Sequence, residues 1–202
     1  MTPKQQRGEE TVDRLLEAVL RVYAESGEQG LTVSAVTTAS GVSLGSLYHH
    51  FGSIDGLVIA AERRWVGRLL DEMLTALQTA PTSRDGIEAV VRAYFAFVRE
   101  HPDAARLMGS PYGDREPMRS GQEQRDAQRA RVSALARWIQ PRVESGELAP
   151  LSQPLIESLV LGPVVAMVRR WLSGIHDVDL DEAAGILAER IWLSISADAG
   201  RN

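Results

Sequence analysis

The stretch Gly41-Val42-Ser43-Leu44-Gly45-Ser46-Leu47-Tyr48-His49-His50-Phe51 decides the fold of this chain. Just upstream, Thr32 can cap a short helix from Val33 to about Ser40, and Gly41 ends it, because glycine accepts the left-handed conformation that closes a helix. Ser43 can cap a second helix, from Leu44 to about Phe51. Two short helices separated by Gly41-Val42-Ser43 have the spacing of a helix-turn-helix, in which the second helix enters the major groove of DNA. Glycine permits the sharp reversal without a side-chain clash. Val42 is the apolar plug between the two helices, with Val36 and Leu47 packed on it. A glycine turn joins many helix pairs, so the spacing by itself is moderately specific.

The rest of the chain reads as helix on both sides of this stretch, with no run of strand alternation. Before it, Val12, Leu15, Leu16, Val19 and Tyr23 form one stripe of a helix expected from Glu9 to Ser26, with Gly27 as its stop. After it, Ser53 can cap a long helix to about Gln78, along which Leu57, Ala61, Trp65, Leu69, Met73 and Leu77 recur every four residues. Ile87, Val90, Val91, Tyr94 and Val98 mark a further helix that His101-Pro102 ends. A short piece near Asp103–Met108 follows, then a loop from Gly109 to Gly121 carrying three glycines and two prolines. A polar, arginine-rich helix runs to about Ser145. Beyond Pro150 and Pro154 come two strongly apolar helices, about Leu155–Leu172 and Leu180–Ser196, with Gly162-Pro163 expected to kink the first. The fold class is therefore all-α: an N-terminal three-helix helix-turn-helix domain over residues 1–56, then a helical bundle over residues 57–202.

Gly41 to Phe51 closely resembles the recognition segment of the TetR family, whose pattern is Gly-Val-Ser, any residue, Gly, any residue, Leu or Ile, Tyr, any residue, His-Phe. Gly30-Leu31-Thr32-Val33 and the preceding helix ending in Glu25-Ser26-Gly27 are similar to that family as well. The resemblance covers about residues 10–60 and implies a DNA-binding regulator that works as a homodimer. It assigns phosphate contacts to Thr32, Ser43 and Tyr48 and to the amides at the helix starts, Val33 included. Neutral donors of this kind position a protein on a duplex without ionised groups. Gly45 would let the recognition helix approach closely. Leu44, Ser46 and His49 occupy the variable positions and are the candidates for reading bases, a leucine through a thymine methyl and a histidine through a purine edge. His50 would lie near the DNA backbone. Two positions depart from the family: Ile54 stands where a lysine usually reaches a phosphate, and Thr37 replaces a common alanine.

Charge alone would not lead to DNA. The net charge is −5, and residues 1–56 carry Lys4, Arg7, Arg14 and Arg21 against Glu9, Glu10, Asp13, Glu17, Glu25, Glu28 and Asp55. Leu31 to Ile54 has no Asp, Glu, Lys or Arg. Such a balance argues against nucleic acid as a partner unless geometry supplies the case. The absence of cysteine removes disulfides, thiolate metal sites and cysteine nucleophiles. The polar N-terminus is no signal peptide, and the longest apolar run, Leu159–Val168, is about half a membrane span. A cytoplasmic protein with no membrane partner is expected.

For the C-terminal part, Trp65, Tyr94, Val98, Met108, Trp138 and Met167 are the candidate lining of a pocket for an apolar or aromatic effector, although each alone is more often plain core. Leu159, Val160, Val164, Val168 and Trp171, with Leu187, Ile191 and Ile195, make faces too broad for helices covering one subunit. They are the candidate dimer interface, and the resembling family pairs its last two helices in this way. No cofactor or metal is implied: His49 and His50 point about 100° apart on a helix, and no acidic ligands lie near them in sequence. His101 and His176 stand beside helix ends, and Arg125, Arg129, Arg131 and Arg137 read as a solvated face. An enzyme is the poorer reading, because there is no phosphate-binding loop, metal-ligand spacing or nucleophile with a base. A helical small-molecule-binding protein that has lost DNA binding is the alternative, kept open by the acidic balance.

Overall fold

The computed structural model describes residues 3–110, 135–174 and 178–197, with side chains from Gln6 onward. The helices are α1 (Pro3–Gly30), α2 (Val33–Ser40), α3 (Leu44–Phe51), α4 (Ile54–Thr79), α5 (Ser83–Glu100), α6 (Pro102–Met108), α7 (residues 135–144), α8 (Gln153–Leu172) and α9 (Leu180–Ile195). Among the described residues there is no strand, only an isolated antiparallel bridge between Leu148 and Ser196. The chain is all-α, as expected. Its contacts divide it into two compact units, Met1–Gly67 with His101–Arg119, and Arg68–Glu100 with Ser120–Asn202.

In the first unit, α1 is longer than its apolar stripe. It starts at Pro3 rather than Glu9, because proline suits the first helical turn and the Lys-Gln-Gln-Arg run after it favours helix without marking a buried face. Gly27 does interrupt it, at φ 64° and ψ −164°, and one further turn reaches Gly30. The caps of the next helices are those expected. Thr32 Oγ1 accepts from the Ala35 amide at 3.2 Å, and Ser43 Oγ from the Ser46 amide at 3.2 Å. Ser53 Oγ accepts from the Gly56 amide at 2.9 Å. Gly41 and Gly52 close α2 and α3 in the left-handed region, at φ 63° and 74°.

One core holds this unit together. Leu15 and Val19 of α1, Val36 of α2, Leu47 of α3, and Leu57 and Val58 of α4 are all fully buried in it, with Val42 nearly so. Each such side chain contributes about 1.5–3 kcal/mol by leaving water. A further fully buried member comes from far along the chain: Leu107 of α6. The Tyr23 hydroxyl donates to the Arg106 carbonyl at 3.3 Å, fixing α6 on α1.

In the second unit α5 packs on α8 and α9. Its buried face, with Ile87, Val91, Phe95 and Val98, follows the spacing seen in the sequence. Arg99 pairs with Asp181 at 2.7 Å, and Arg84 with Glu189, so both ends of α5 are tied to α9. Arg142 of α7 donates to Ser83 Oγ at 2.6 Å and to the Trp138 carbonyl at 2.8 Å. α8 is one helix from Gln153 to Leu172 with Pro163 inside it. Gly162 and Pro163 are exposed, so the carbonyl that loses its partner lies on the solvent side.

Candidate nucleic-acid interface

α2 and α3 meet at a turn that is held from both sides. Val42 is buried to 5%, as a plug between the helices. Ser40 Oγ accepts from the Val42 amide at 3.2 Å and donates to the Thr37 carbonyl at 3.3 Å, so the reversal is locked by a side chain the sequence reading had passed over. Arg21 Nη2 donates to the Ala39 carbonyl at 2.9 Å, anchoring the end of α2 on α1. Arg64 at the back pairs with Asp13.

With Leu47 turned fully inward, the opposite face of α3 is bare. Leu44 is 53% exposed and Tyr48 48% exposed, and Gly45, His49 and His50 are exposed with them. Large apolar side chains left in water on a rigidly held helix are an unpartnered surface rather than an oversight of packing. A β-carbon added at Gly45 would meet nothing within 4 Å, so no crowding inside the protein requires glycine there. Ser46 is half-buried, its hydroxyl 3.0 Å from that of Ser43.

The hydroxyls of Thr32 and Ser43 are occupied as acceptors by the cap amides, yet a hydroxyl keeps a proton to donate. Thr32 and Ser43 are exposed and stand at the starts of α2 and α3, where free amides and the helix dipole favour an anion. Val33 packs its side chain on the core, so its amide is the group it can offer. His50 departs slightly from the others: it borders a shallow hollow with Gly8, Glu9, Val12 and Asp13 of α1. Ile54 is half-buried and packs on the helix-turn-helix core. What a lysine would offer to a phosphate is spent here on packing.

The second unit contains an apolar cavity of about 80 Å³, lined from α4, α5, α7 and α8. Of the six pocket candidates, Trp138 lines it. Val98 is buried in the core of α5, Met167 is half-buried on α8, and burial raises the Tyr94 hydroxyl's pKa above its ordinary value, with Arg169 opposing. Trp65 and Met108 belong to the first unit, where Trp65 lies against the His101 ring at 4.9 Å. The lining that the sequence reading missed includes Leu70, Leu74 and Leu77 of α4 with Ile156 and Leu161 of α8. Leu70, Leu74 and Leu77 were visible as part of a leucine-rich face, but nothing in its period said that space would be left beside it.

The candidate dimer residues also fall into two groups. Val160, Val164, Val168, Ile191 and Ile195 are buried within the protomer. Leu159, Trp171 and Leu187 are half-buried. The apolar side chains left outside on these helices are Leu155, Ile186 and Leu193, at 46%, 57% and 44% exposure. Arg125, Arg129, Arg131 and His176 lie outside the described residues. Among the described residues no cluster of three His, Asp or Glu could hold a metal, and no helix is long and apolar enough to cross a membrane.

A helix-turn-helix with an inward-locked turn and a bare second helix defines a DNA-binding protein of the groove-reading class. Residues 15–61 match the family model of the bacterial regulatory proteins, tetR family. Over that segment the chain carries the DNA-binding part of the TetR family of transcriptional regulators. It is 36% identical over 81 residues to the HTH-type transcriptional regulator BetI of Rhizobium meliloti (strain 1021), covering 40% of either chain. It is 27% identical over 183 residues to the HTH-type transcriptional activator FasR of Mycolicibacterium smegmatis, covering 91% of this chain and 82% of FasR. Among the curated relatives, the BetI match thus spans less than half the length of its partner.

Solved structures agree on the fold. A TetR family transcription regulator from Marinobacter aquaeolei VT8 superposes with a TM-score of 0.73 at 21% identity, over 95% of this chain and 98% of that one. The regulator FadR of Bacillus subtilis, in complex with stearoyl-CoA, superposes with a TM-score of 0.67 at 19% identity, over 88% and 96%.

Proposed function

We propose that this protein is a ligand-responsive repressor that binds a palindromic operator as a homodimer and is released by a small apolar or aromatic effector. The observation that carries the reading is the outward face of α3, where Leu44, Gly45, Tyr48 and His49 are presented to solvent by a helix that buries Leu47 on its other side. In the dimer two such helices would sit in successive major grooves about 34–36 Å apart. Leu155, Ile186 and Leu193, with the small exposed residues Gly162, Ala166 and Gly185, give the second copy a face on which two helices can approach closely. The residues of α8 and α9 already buried in the protomer support that face from behind.

The effector would occupy the apolar cavity, and α4, whose residues contribute both to that cavity and to the helix-turn-helix core, is the element through which it would act. To convert a bound population into a free one, from 99:1 to 1:99, the effector must prefer the free form by about 5.5 kcal/mol. FadR with its stearoyl-CoA offers a precedent for an apolar chain in such a fold, and FasR, an activator by name, shows that the direction of regulation varies among relatives.

The experiment is an unbiased selection of bound duplexes from a random pool with purified full-length protein at low and moderate salt. Enrichment of a palindrome with half-sites about one helical turn apart supports the regulator. A folded dimer that enriches nothing at either salt favours the second reading, a helical ligand-binding protein without DNA, which the acidic first unit and the burial of Ile54 also favour.

A further inference from the structure

We propose that the helix-turn-helix recognises its operator through the C5-methyl groups of thymine, with Leu44 as the residue that senses them. The inference rests on α3 entering the major groove and adds what it reads there. The side chains that identify a base by hydrogen bonding are few: Arg or Lys on guanine, Asn or Gln on adenine, and Asp or Glu on cytosine. Leu31 to Ile54 contains none of the six, so neither α2 nor α3 carries such a reader. What remains are hydroxyls and imidazoles, whose single hydrogen bonds fit more than one base. Thymine is the exception among the bases, because its methyl group in the major groove is recognised by apolar contact.

Leu44 is placed for that contact. It is the first residue of α3, at the end of a recognition helix that reaches base edges. Its side chain is exposed, although Leu47 three residues on is fully buried. The Ser43 cap and the left-handed Gly41 fix where α3 starts, so the leucine is presented from a rigid backbone. Its neighbours do not compete for the position. Gly45 has no side chain, and Ser46 is half-buried with its hydroxyl 3.0 Å from that of Ser43. Tyr48, one turn further along the same side, is exposed and extends the apolar edge. Covering one methyl group is worth about fourfold in Kd, or about fifteenfold over two half-sites.

The test is fluorescence anisotropy of the full chain on the duplex enriched by selection, resynthesised with deoxyuridine for thymidine at each symmetry-related pair of positions in turn. Uracil keeps every hydrogen-bonding group of thymine and lacks the methyl. At one such pair the exchange should weaken binding by about fifteenfold. Leu44→Ala should weaken the thymine duplex by a similar factor and no longer distinguish it from the uracil duplex, because the two changes remove the same contact. With cytosine at that pair, 5-methylcytosine should bind more tightly than cytosine, since it restores the methyl on a different hydrogen-bonding edge. Uracil indistinguishable from thymine at every position overturns methyl reading, as does equal binding of cytosine and 5-methylcytosine. A uracil penalty as large in Leu44→Ala as in the parent overturns the assignment to Leu44. No enriched duplex at all overturns DNA binding by α3, and the present inference falls with it.

Discussion

Gly45 offers a clean separation of folding from recognition. It lies in the first turn of α3, and a methyl group there would meet no atom of the protein within 4 Å. Alanine is preferred to glycine in a helix by about 0.5–1 kcal/mol, since glycine loses more backbone freedom on folding. Gly45→Ala should thus raise the thermal midpoint by about 1–4 °C for a chain of this size. In the proposed DNA complex the same methyl would occupy the space where the helix approaches the groove floor. Losing one well-made contact there costs about 1–3 kcal/mol, or roughly 5- to 140-fold in Kd. The assay pairs a thermal melt of the free protein with fluorescence anisotropy on the duplex enriched by selection. A variant that is stabilised yet binds as tightly as the parent refutes close approach at this position. A variant that loses both stability and binding refutes the claim that the space around Gly45 is empty in the free protein.

Three further outcomes follow from the same geometry. Ile54→Lys should cost about 1 kcal/mol of stability by exposing a half-packed side chain, while steepening the dependence of log K on log salt by about 0.9; an unchanged slope in anisotropy titrations from 50 to 200 mM salt would mean that residue 54 does not face a phosphate. Ile186→Glu combined with Leu193→Glu should give a helical monomer by light scattering, and a persistent dimer would place the interface elsewhere. The Arg99 hydrogen bond holds the Asp181 pKa below its usual 3.8, so the contribution of this pair is present above that value and is lost as pH falls through the lowered one. Asp181→Asn should therefore be slightly less stable than the parent near neutrality and converge with it in acid, as read by denaturant midpoints across pH; a difference that grows in acid contradicts the pairing.

What the sequence made legible was local. Thr32, Gly41, Ser43 and Ser53 act through their own backbone neighbourhood, and α2, α3 and α4 begin, and α2 ends, where those residues require. The outward set on α3 was legible for the same reason, because Leu47 fixes the buried side and the helical period places the rest. Features made by distant segments were not. Val164 and Ile195 read as a spare apolar face, but they are fully buried within the protomer, and period alone cannot say which neighbour covers a stripe. The cavity beside Trp138 is a failure of four helices to fill a shared space, a property that belongs to no one of them. Pro3 to Glu9 extended α1 silently, since Gln6, Arg7 and Glu9 are exposed polar residues and leave no apolar signature.

Leu107 gives the DNA-reading head a split inheritance. One of the fully buried leucines of its core is encoded some fifty residues after α3, beyond the whole of α5. A graft that moved residues 3–67 onto another regulator would carry a leucine-sized hole with it, worth roughly 3–5 kcal/mol if the site did not collapse. The segment His101–Ser110 has to travel too, or the host must bring its own equivalent. The portable module in this protein is thus two pieces of chain joined through space, and changes to the length of α5 are edits to the head's assembly as much as to the bundle that α5 serves.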